Sequence, residues 1–105
     1  MVTEPLVSII IPVFNAEKFL SQSIESAINQ TWRNVEIIIV DDGSTDQSVQ
    51  VAKMYANNKV LLVQQENRGA SAARNTGISH SNGVFFQFLD ADDMLSKDKI
   101  AEQLS

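Results

Sequence analysis

The 105-residue chain contains no cysteine. This absence excludes disulfide scaffolds, zinc sites built on thiolates and cysteine nucleophiles. Basic residues are also few, because 8 Lys and Arg stand against 13 Asp and Glu and leave a formal net charge of −5. Nucleic acids and anionic lipids are bound by positively charged surfaces. We therefore expect no nucleic acid among the partners of this chain.

Long hydrophobic runs are missing as well. No apolar run approaches the roughly 20 residues that span a bilayer. The opening residues MVTEPLVS lack the basic region of a secretory signal peptide. These absences predict a chain with no membrane span and a cytoplasmic location, with the inner face of the membrane as the alternative for a longer protein.

Hydrophobic patterning predicts strands and helices that alternate along the whole chain. Apolar, β-branched runs typical of buried strands occupy residues 6–11, 35–40, 60–63 and 84–89. Amphipathic or Ala-rich stretches predict helices at residues 16–30, 45–56, 70–79 and 97–104. The order βαβαβαβα favours an α/β fold with a mostly parallel, doubly wound sheet. The last helical pattern reaches Ser105 without a stop signal, which predicts one truncated domain over residues 1–105.

Local signals also predict how the elements begin and end. Pro12 closes the first strand, and Asn15 is a candidate N-cap for the first helix. Ser44 and Gln47 have the spacing of a capping box before the second helix. Ser96 is the candidate N-cap of the last helix.

Aspartates fall in two clusters, one after the second predicted strand and one after the fourth. In parallel sheets, ligands bind outside the carboxyl ends of the strands. Crowded carboxylates repel one another unless a positive group lies between them, and Asp90-Ala91-Asp92 can offer hard oxygen ligands to Mg²⁺ or Mn²⁺. The alternative is that these aspartates only form turns and cap helices.

Three stretches together resemble the N-terminal part of the family 2 glycosyltransferases, whose nucleotide-sugar-binding domain has the Rossmann-like GT-A fold. They are VSIIIPVFNAEKFLSQSIESAINQTWRNVEIIIVDDGSTD at 7–46, NRGASAARNTGI at 67–78 and FLDADD at 88–93. The motifs occur in the same order as in that family, and the resemblance covers about residues 6–104. Met94 and Lys97 depart from the aromatic residue and the proline often found after the family's DxD motif.

The resemblance implies roles for individual residues. The nucleotide would be bound by Pro12, Val13, Phe14, Asp42, Asn67, Arg74 and Asp90. Asp92 would be the direct ligand of a divalent metal, Mn²⁺ or Mg²⁺, with Asp90 beside it near the ribose or sugar. Asp41 would shape its loop, and Arg74 has the alternative of pairing with Asp41 or Asp46.

The resemblance also implies an activity. A sugar would pass from a nucleoside-diphosphate donor, by default a UDP-sugar, to a hydroxyl of a glycan or lipid-linked acceptor, usually with inversion. Such chemistry serves cell-surface polysaccharide or glycan synthesis. The catalytic base is expected beyond Ser105, so the isolated fragment is expected to be inactive.

Two alternatives belong to other classes. The first is a non-catalytic module that binds a nucleotide or a partner protein. The second is a nucleotidyltransferase, which the missing glycine-rich, basic triphosphate loop disfavours. A truncated parallel sheet also exposes an edge strand and apolar surface, which predicts a homodimer or aggregation.

Overall fold

The computed structural model describes residues 4–105, so the first three residues of the predicted domain lie outside the described residues. Within that range the chain alternates strictly between strand and helix. The elements are β1 (Val7–Val13), α1 (Leu20–Ile28), β2 (Val35–Asp41), α2 (Ser48–Tyr55), β3 (Val60–Gln64), α3 (Ala70–Ser79), β4 (Phe85–Phe88) and α4 (Lys99–Leu104).

The strands form one parallel sheet in the order β3-β2-β1-β4. Ile9 of β1 lies opposite Ile37 of β2 and Gln87 of β4, which fixes the register of the central strands. The two central strands, β1 and β2, are rich in Ile and Val because both of their faces are covered. The predicted α/β class and parallel sheet are confirmed.

Helices cover both faces of the sheet. The larger core lies between the sheet and α1, α2 and α4, with Ile24, Ala52 and Ile100 packed against the strands. The smaller core lies on the opposite face, where Ala73 of α3 packs against Ile10 and the neighbouring β2 residues. The fold is therefore doubly wound, as predicted.

Pro12 does not end β1, contrary to the sequence prediction. The strand continues to Val13, and Pro12 lies opposite Val40 in β2. Proline is tolerated here because successive residues of a strand direct their backbone groups to alternate sides. The Ile10 carbonyl accepts the Leu89 N–H on the β4 side, and pairing with β4 has ended by Pro12. No ladder hydrogen bond is lost at this position.

The predicted N-cap at Asn15 is wrong. Helix α1 begins at Leu20, and Asn15 lies upstream with a φ of +50°. Its side-chain oxygen accepts the backbone N–H of Thr45, 2.8 Å away, instead of an N–H of α1. A contact with another loop has replaced the local cap.

The other two predicted caps are also wrong. Helix α2 begins at Ser48, and the Ser44 hydroxyl accepts the Asn15 N–H at 2.9 Å instead of capping the helix. Helix α4 begins at Lys99, and the Ser96 carbonyl accepts a hydrogen bond from Gln30, two residues after the end of α1. All three polar residues thus serve contacts between segments that are distant in sequence.

None of the helices between residues 4 and 105 has the length and hydrophobicity that crossing a bilayer requires.

Candidate functional site

A cavity of about 120 Å³ lies at the carboxyl ends of the strands, between β1 and β4. The chain leaves β1 toward one face of the sheet, whereas β4 is reached through α3 on the other face. Such reversals leave a crevice where ligands of open α/β sheets bind. The cavity is lined by Pro12, Val13, Phe14, Asp42, Ala70, Ala73, Arg74 and Asp90.

A second cavity, of about 330 Å³, adjoins the first. The two share Pro12, Phe14 and Asp90, and the second reaches Asp92 in the turn after β4. Together they form one cleft, which we call the strand-end cleft. It runs from Asp42 at one end to Asp92 at the other.

Asp42 is buried, with 4% of its surface exposed, and receives three hydrogen bonds from the loop after β3. Its Oδ1 accepts the Gln65 side-chain amide at 2.9 Å and the Arg68 backbone N–H at 2.8 Å. Its Oδ2 accepts the Gly69 N–H at 2.9 Å. Burial alone would raise the pKa of Asp42, but these hydrogen bonds and the Arg68 charge together lower the pKa below its ordinary value. Asp42 is therefore an anion at neutral pH.

Asp41, next along the chain, holds the loop after β2. It is 3% exposed, and its Oδ2 accepts the Ser44 N–H at 3.0 Å. Its Oδ1 is buried and has no hydrogen-bond partner among residues 4–105. Gly43, between Asp42 and Ser44, has a φ of +83°, and a Cβ there would lie 2.9 Å from the Asn67 backbone nitrogen. Only glycine fits this turn without strain.

Arg74 reaches into the cleft from the second turn of α3. Its guanidinium lies 3.8 Å from Asp90 Oδ1, and the two side chains are 38% and 66% exposed. Arg74 thus pairs with neither Asp41 nor Asp46, the alternative that the sequence left open. At this distance and exposure the pair is weak, so the guanidinium keeps donors available for a ligand.

Asp90 and Asp92 lie in a turn in which the Asp93 N–H donates to the Asp90 carbonyl at 3.0 Å. Both side chains are exposed, and no hydrogen bond within residues 4–105 engages the Asp92 carboxylate. The described residues contain no cluster of three or more acidic or histidine side chains able to hold a metal ion by themselves. Magnesium-type ions are commonly held by one or two carboxylates together with substrate phosphates. The exposed carboxylates of Asp90 and Asp92 could serve as such a pair.

The structure brings six of the seven predicted nucleotide-binding residues to one cavity. Asn67 is the exception: it does not line the cleft, and its backbone packs against Gly43 instead. Sequence reasoning missed Ala70 and Ala73, whose small side chains leave room beside Asp42. It also missed Gln65, which orients Asp42. The only signal for the two alanines was the short-residue run at the start of α3.

Comparison with known proteins gives the family. A sequence model described as glycosyl transferase family 2 matches residues 8–105. The chain belongs to glycosyl transferase family 2. An uncharacterized glycosyltransferase of Haemophilus influenzae is 42% identical over 104 residues, which are 96% of this chain and 42% of the relative. The chain spans 15% to 42% of the length of the first curated relatives that it matches.

Two solved structures of glycosyltransferases share the fold. S. aureus TarS 1-349 in complex with UDP superposes with a TM-score of 0.86 at 30% identity, over 93% of this chain and 30% of that chain. The mannosyltransferase PcManGT of Pyrobaculum calidifontis, in complex with GDP-Man and Mn²⁺, gives a TM-score of 0.87 at 25% identity, over 97% of this chain and 32% of that chain. The GT-A fold implied by the family 2 motifs is confirmed.

Proposed function

We propose that residues 4–105 form the donor-binding part of a glycosyltransferase that moves a sugar from a nucleoside-diphosphate donor to an acceptor hydroxyl. The observation that carries this proposal is the strand-end cleft, which gathers Asp42, Arg74 and Asp90 beside Phe14. The cleft has an apolar face for a nucleobase and a buried anion for the polar edge of that base. It also has a cation for a diphosphate and exposed carboxylates for a metal ion.

The nucleoside would occupy the end of the cleft near Asp42. Phe14 is 50% exposed there and offers a flat surface for a planar base. Asp42 Oδ2 accepts one N–H, so it retains acceptor capacity for an N–H of the base or a ribose hydroxyl. Because the loop holds this carboxylate in place, binding costs little side-chain entropy. Asn67 would act indirectly, by supporting the loop after β2.

The diphosphate would lie between Arg74 and the turn of Asp90 and Asp92. Arg74 supplies a planar guanidinium that suits phosphate oxygens. Asp92 and Asp90 would hold Mn²⁺ or Mg²⁺, and the bound ion would screen the charge that develops on the departing diphosphate. A UDP-sugar is the default donor that the family resemblance implies. S. aureus TarS is in complex with UDP, whereas the P. calidifontis mannosyltransferase is in complex with GDP-Man.

The remaining steps depend on groups outside the cleft. Inversion at the anomeric carbon requires a base that takes the proton from the acceptor hydroxyl. The expectation that this base lies beyond Ser105 stays a prediction, as do the glycan or lipid-linked acceptor, the cytoplasmic location and a role in cell-surface polysaccharide synthesis.

Calorimetric titration of the chain with UDP, with and without Mn²⁺, tests the proposal. We expect binding that Mn²⁺ strengthens, and we expect Asp92→Ala to remove only the Mn²⁺-dependent part. Asp98→Ala is the matched control, because Asp98 accepts from Thr31 and lines no part of the cleft. A parallel titration with GDP tests which base is preferred.

The outcomes separate the candidate functions. Equal Mn²⁺ dependence in wild type and Asp92→Ala would overturn the metal assignment. Binding of neither nucleotide would overturn the donor-site proposal and favour the non-catalytic protein-binding module. Detection of sugar transfer by a longer chain that contains these residues would exclude that module.

A further inference from the structure

Three polar side chains in and just after α1 face the segment after β4. Ser23 and Ser26 are three residues apart and share one face of α1, and Gln30 follows two residues after the helix ends. Ser23 is fully buried and Gln30 is 7% exposed. Buried polar side chains need hydrogen-bond partners, and here all three find them between residues 90 and 100.

Ser23 contacts the turn that carries the DxD carboxylates. Its hydroxyl lies 2.7 Å from the Ala91 carbonyl and 3.4 Å from the Asp90 carbonyl. It also forms a hydrogen bond with the Asp93 carbonyl. One hydroxyl has a single proton, so the three carbonyls share one donor. The backbone is thereby held on both sides of Asp92.

Ser26 and Gln30 continue the same attachment along the chain. The Ser26 hydroxyl accepts the Leu95 N–H at 3.0 Å. The Gln30 amide donates to the Ser96 carbonyl at 2.7 Å and accepts the Ile100 N–H at 3.1 Å. The loop between β4 and α4 is thus tied to α1 at several points, while the side chains of Asp90 and Asp92 remain exposed.

We propose that Ser23 is a positioning residue for Asp90 and Asp92, and therefore for the metal that they would hold. The proposal rests on the proposed donor-binding function. Only Ala91 of this turn packs in the core, and the side chains of Asp90 and Asp92 are exposed, so the two carboxylates are ordered only as well as the turn backbone is. Ser23 lies on the buried face of α1 and holds that backbone. Groups that orient metal ligands in this way commonly change metal affinity ten- to a hundredfold when removed.

The test compares Ser23→Ala with Ser8→Ala. Ser8 is also fully buried and also donates a hydrogen bond, to Glu36, but it lies at the opposite end of β1. We expect Ser23→Ala to weaken Mn²⁺-dependent UDP binding about tenfold and to leave metal-free UDP binding unchanged. We expect Ser8→Ala to change neither affinity.

Hydrogen–deuterium exchange of residues 88–96 provides a readout that needs no ligand. We expect faster exchange there in Ser23→Ala, with residues 35–41 of β2 unchanged. If Ser23→Ala does not fold, Ser26→Ala replaces it, with a smaller increase in exchange and a smaller loss of Mn²⁺-dependent affinity expected.

The two readouts keep the proposals apart. Unchanged exchange across residues 88–96 in the folded variant would overturn the positioning role, whatever the chain binds. An equal loss of metal-free and Mn²⁺-dependent affinity would also overturn it, because that result indicates general damage to the cleft. A third outcome is that wild type binds neither UDP nor GDP while residues 88–96 exchange faster in Ser23→Ala. That result would overturn the donor-binding function, but it would still support the role of Ser23 in holding the turn.

Discussion

The side-chain oxygen of Asn15 lies 2.8 Å from the backbone nitrogen of Thr45 and joins the loop after β1 to the loop after β2. The joint is reciprocal, because the Asn15 N–H donates to the Ser44 hydroxyl at 2.9 Å. The Ala16 N–H likewise donates to the buried Ser48 hydroxyl at 2.9 Å. These hydrogen bonds hold the loop that carries Phe14 next to the loop that follows Asp42. They therefore help to set the distance between Phe14 and Asp42, and a bound nucleoside would have to fit that distance.

The first prediction concerns this joint. Asn15→Gly removes the amide but keeps the positive φ accessible, whereas Asn15→Ala loses both features. We expect each variant to lose about 1 kcal/mol from the missing hydrogen bond. We expect Asn15→Ala to lose about 1 kcal/mol more, because a residue with a Cβ is strained at this φ.

Urea unfolding followed by the fluorescence of Trp32, the only tryptophan, measures both variants. Equal stability of the Gly and Ala variants would show that the positive φ is not required in solution. Stability equal to wild type in both would show that the joint contributes nothing to folding.

Local sequence patterns predicted β1 and β2 well because both strands are rich in Ile and Val and lie in the core. The patterns also predicted β4, although its Phe-rich run is partly exposed. The same patterns failed at the helix starts. Asn15 and Ser44 are capping residue types, but their side chains form hydrogen bonds with residues 30 and 29 positions away. A residue's capping preference is local, whereas a contact between loops follows from the order of strands in the sheet. Ala70–Ser79 shows the converse, because both predicted ends of this helix are confirmed.

The candidate site was predictable to the extent that strand ends define it. Pro12 lies near the carboxyl end of β1, and Asp42 and Asp90 follow β2 and β4, whose carboxyl ends meet that of β1 at one edge of the sheet. Arg74 pairs with Asp90, whereas Asp46 lies in the loop that leads into α2, and α2 and α3 cover opposite faces of the sheet. The sequence could not predict that Ser23 supports the DxD turn, because a buried serine in an amphipathic helix has no distinctive spacing.

The second prediction is a loss of stability in acid. The pKa of Asp42 is lowered in the folded chain, so its carboxylate stabilises the fold above the unfolded-state pKa, near the ordinary value of 3.8. That contribution is lost as the pH falls through the lower, folded-state pKa. Asp46 acts in the same direction. Burial raises its pKa, but hydrogen bonds from Ser48 and Glu17 outweigh burial and lower it.

Urea midpoints measured from pH about 6 to about 3 test this prediction. We expect Asp42→Asn to be less stable than wild type at neutral pH and the difference to narrow below pH about 4. Asp92→Asn is the control for the loss of one carboxylate, because the exposed Asp92 side chain makes no hydrogen bond within the described residues. A difference between Asp42→Asn and wild type that stays the same at every pH would contradict the lowered pKa of Asp42.

The third prediction is that Gly77→Ala destabilises the chain, although alanine is the better helix former by about 1 kcal/mol. A Cβ on Gly77 would clash with the Ile10 Cγ2, where α3 packs closely on β1. Overpacking of this kind costs about 1–3 kcal/mol. Ser71→Ala, at an exposed position of the same helix, is the control and should be neutral or slightly stabilising. Unfolding in urea measures both, and a Gly77→Ala chain as stable as wild type would show that α3 can move away from β1.

The fourth prediction is self-association through the outer edge of β4. This strand ends the sheet on one side, and its side chains Phe85, Phe86 and Phe88 are 49%, 45% and 41% exposed. Exposed apolar residues on an edge strand favour pairing with another chain, which is the physical basis of the predicted homodimer. We expect sedimentation velocity to show a species larger than the monomer that grows with concentration.

Phe86→Lys should abolish that species, because a charge on an edge strand opposes pairing. Met54→Lys is the control: Met54 is 81% exposed on α2, away from the sheet edge, and its replacement adds the same charge. Association that persists in Phe86→Lys would place the contact elsewhere, and a monomer at every concentration in wild type would refute the homodimer. If both variants lose association, the cause is the change in net charge and not the edge of β4, because each lysine changes the formal charge of −5 by the same amount.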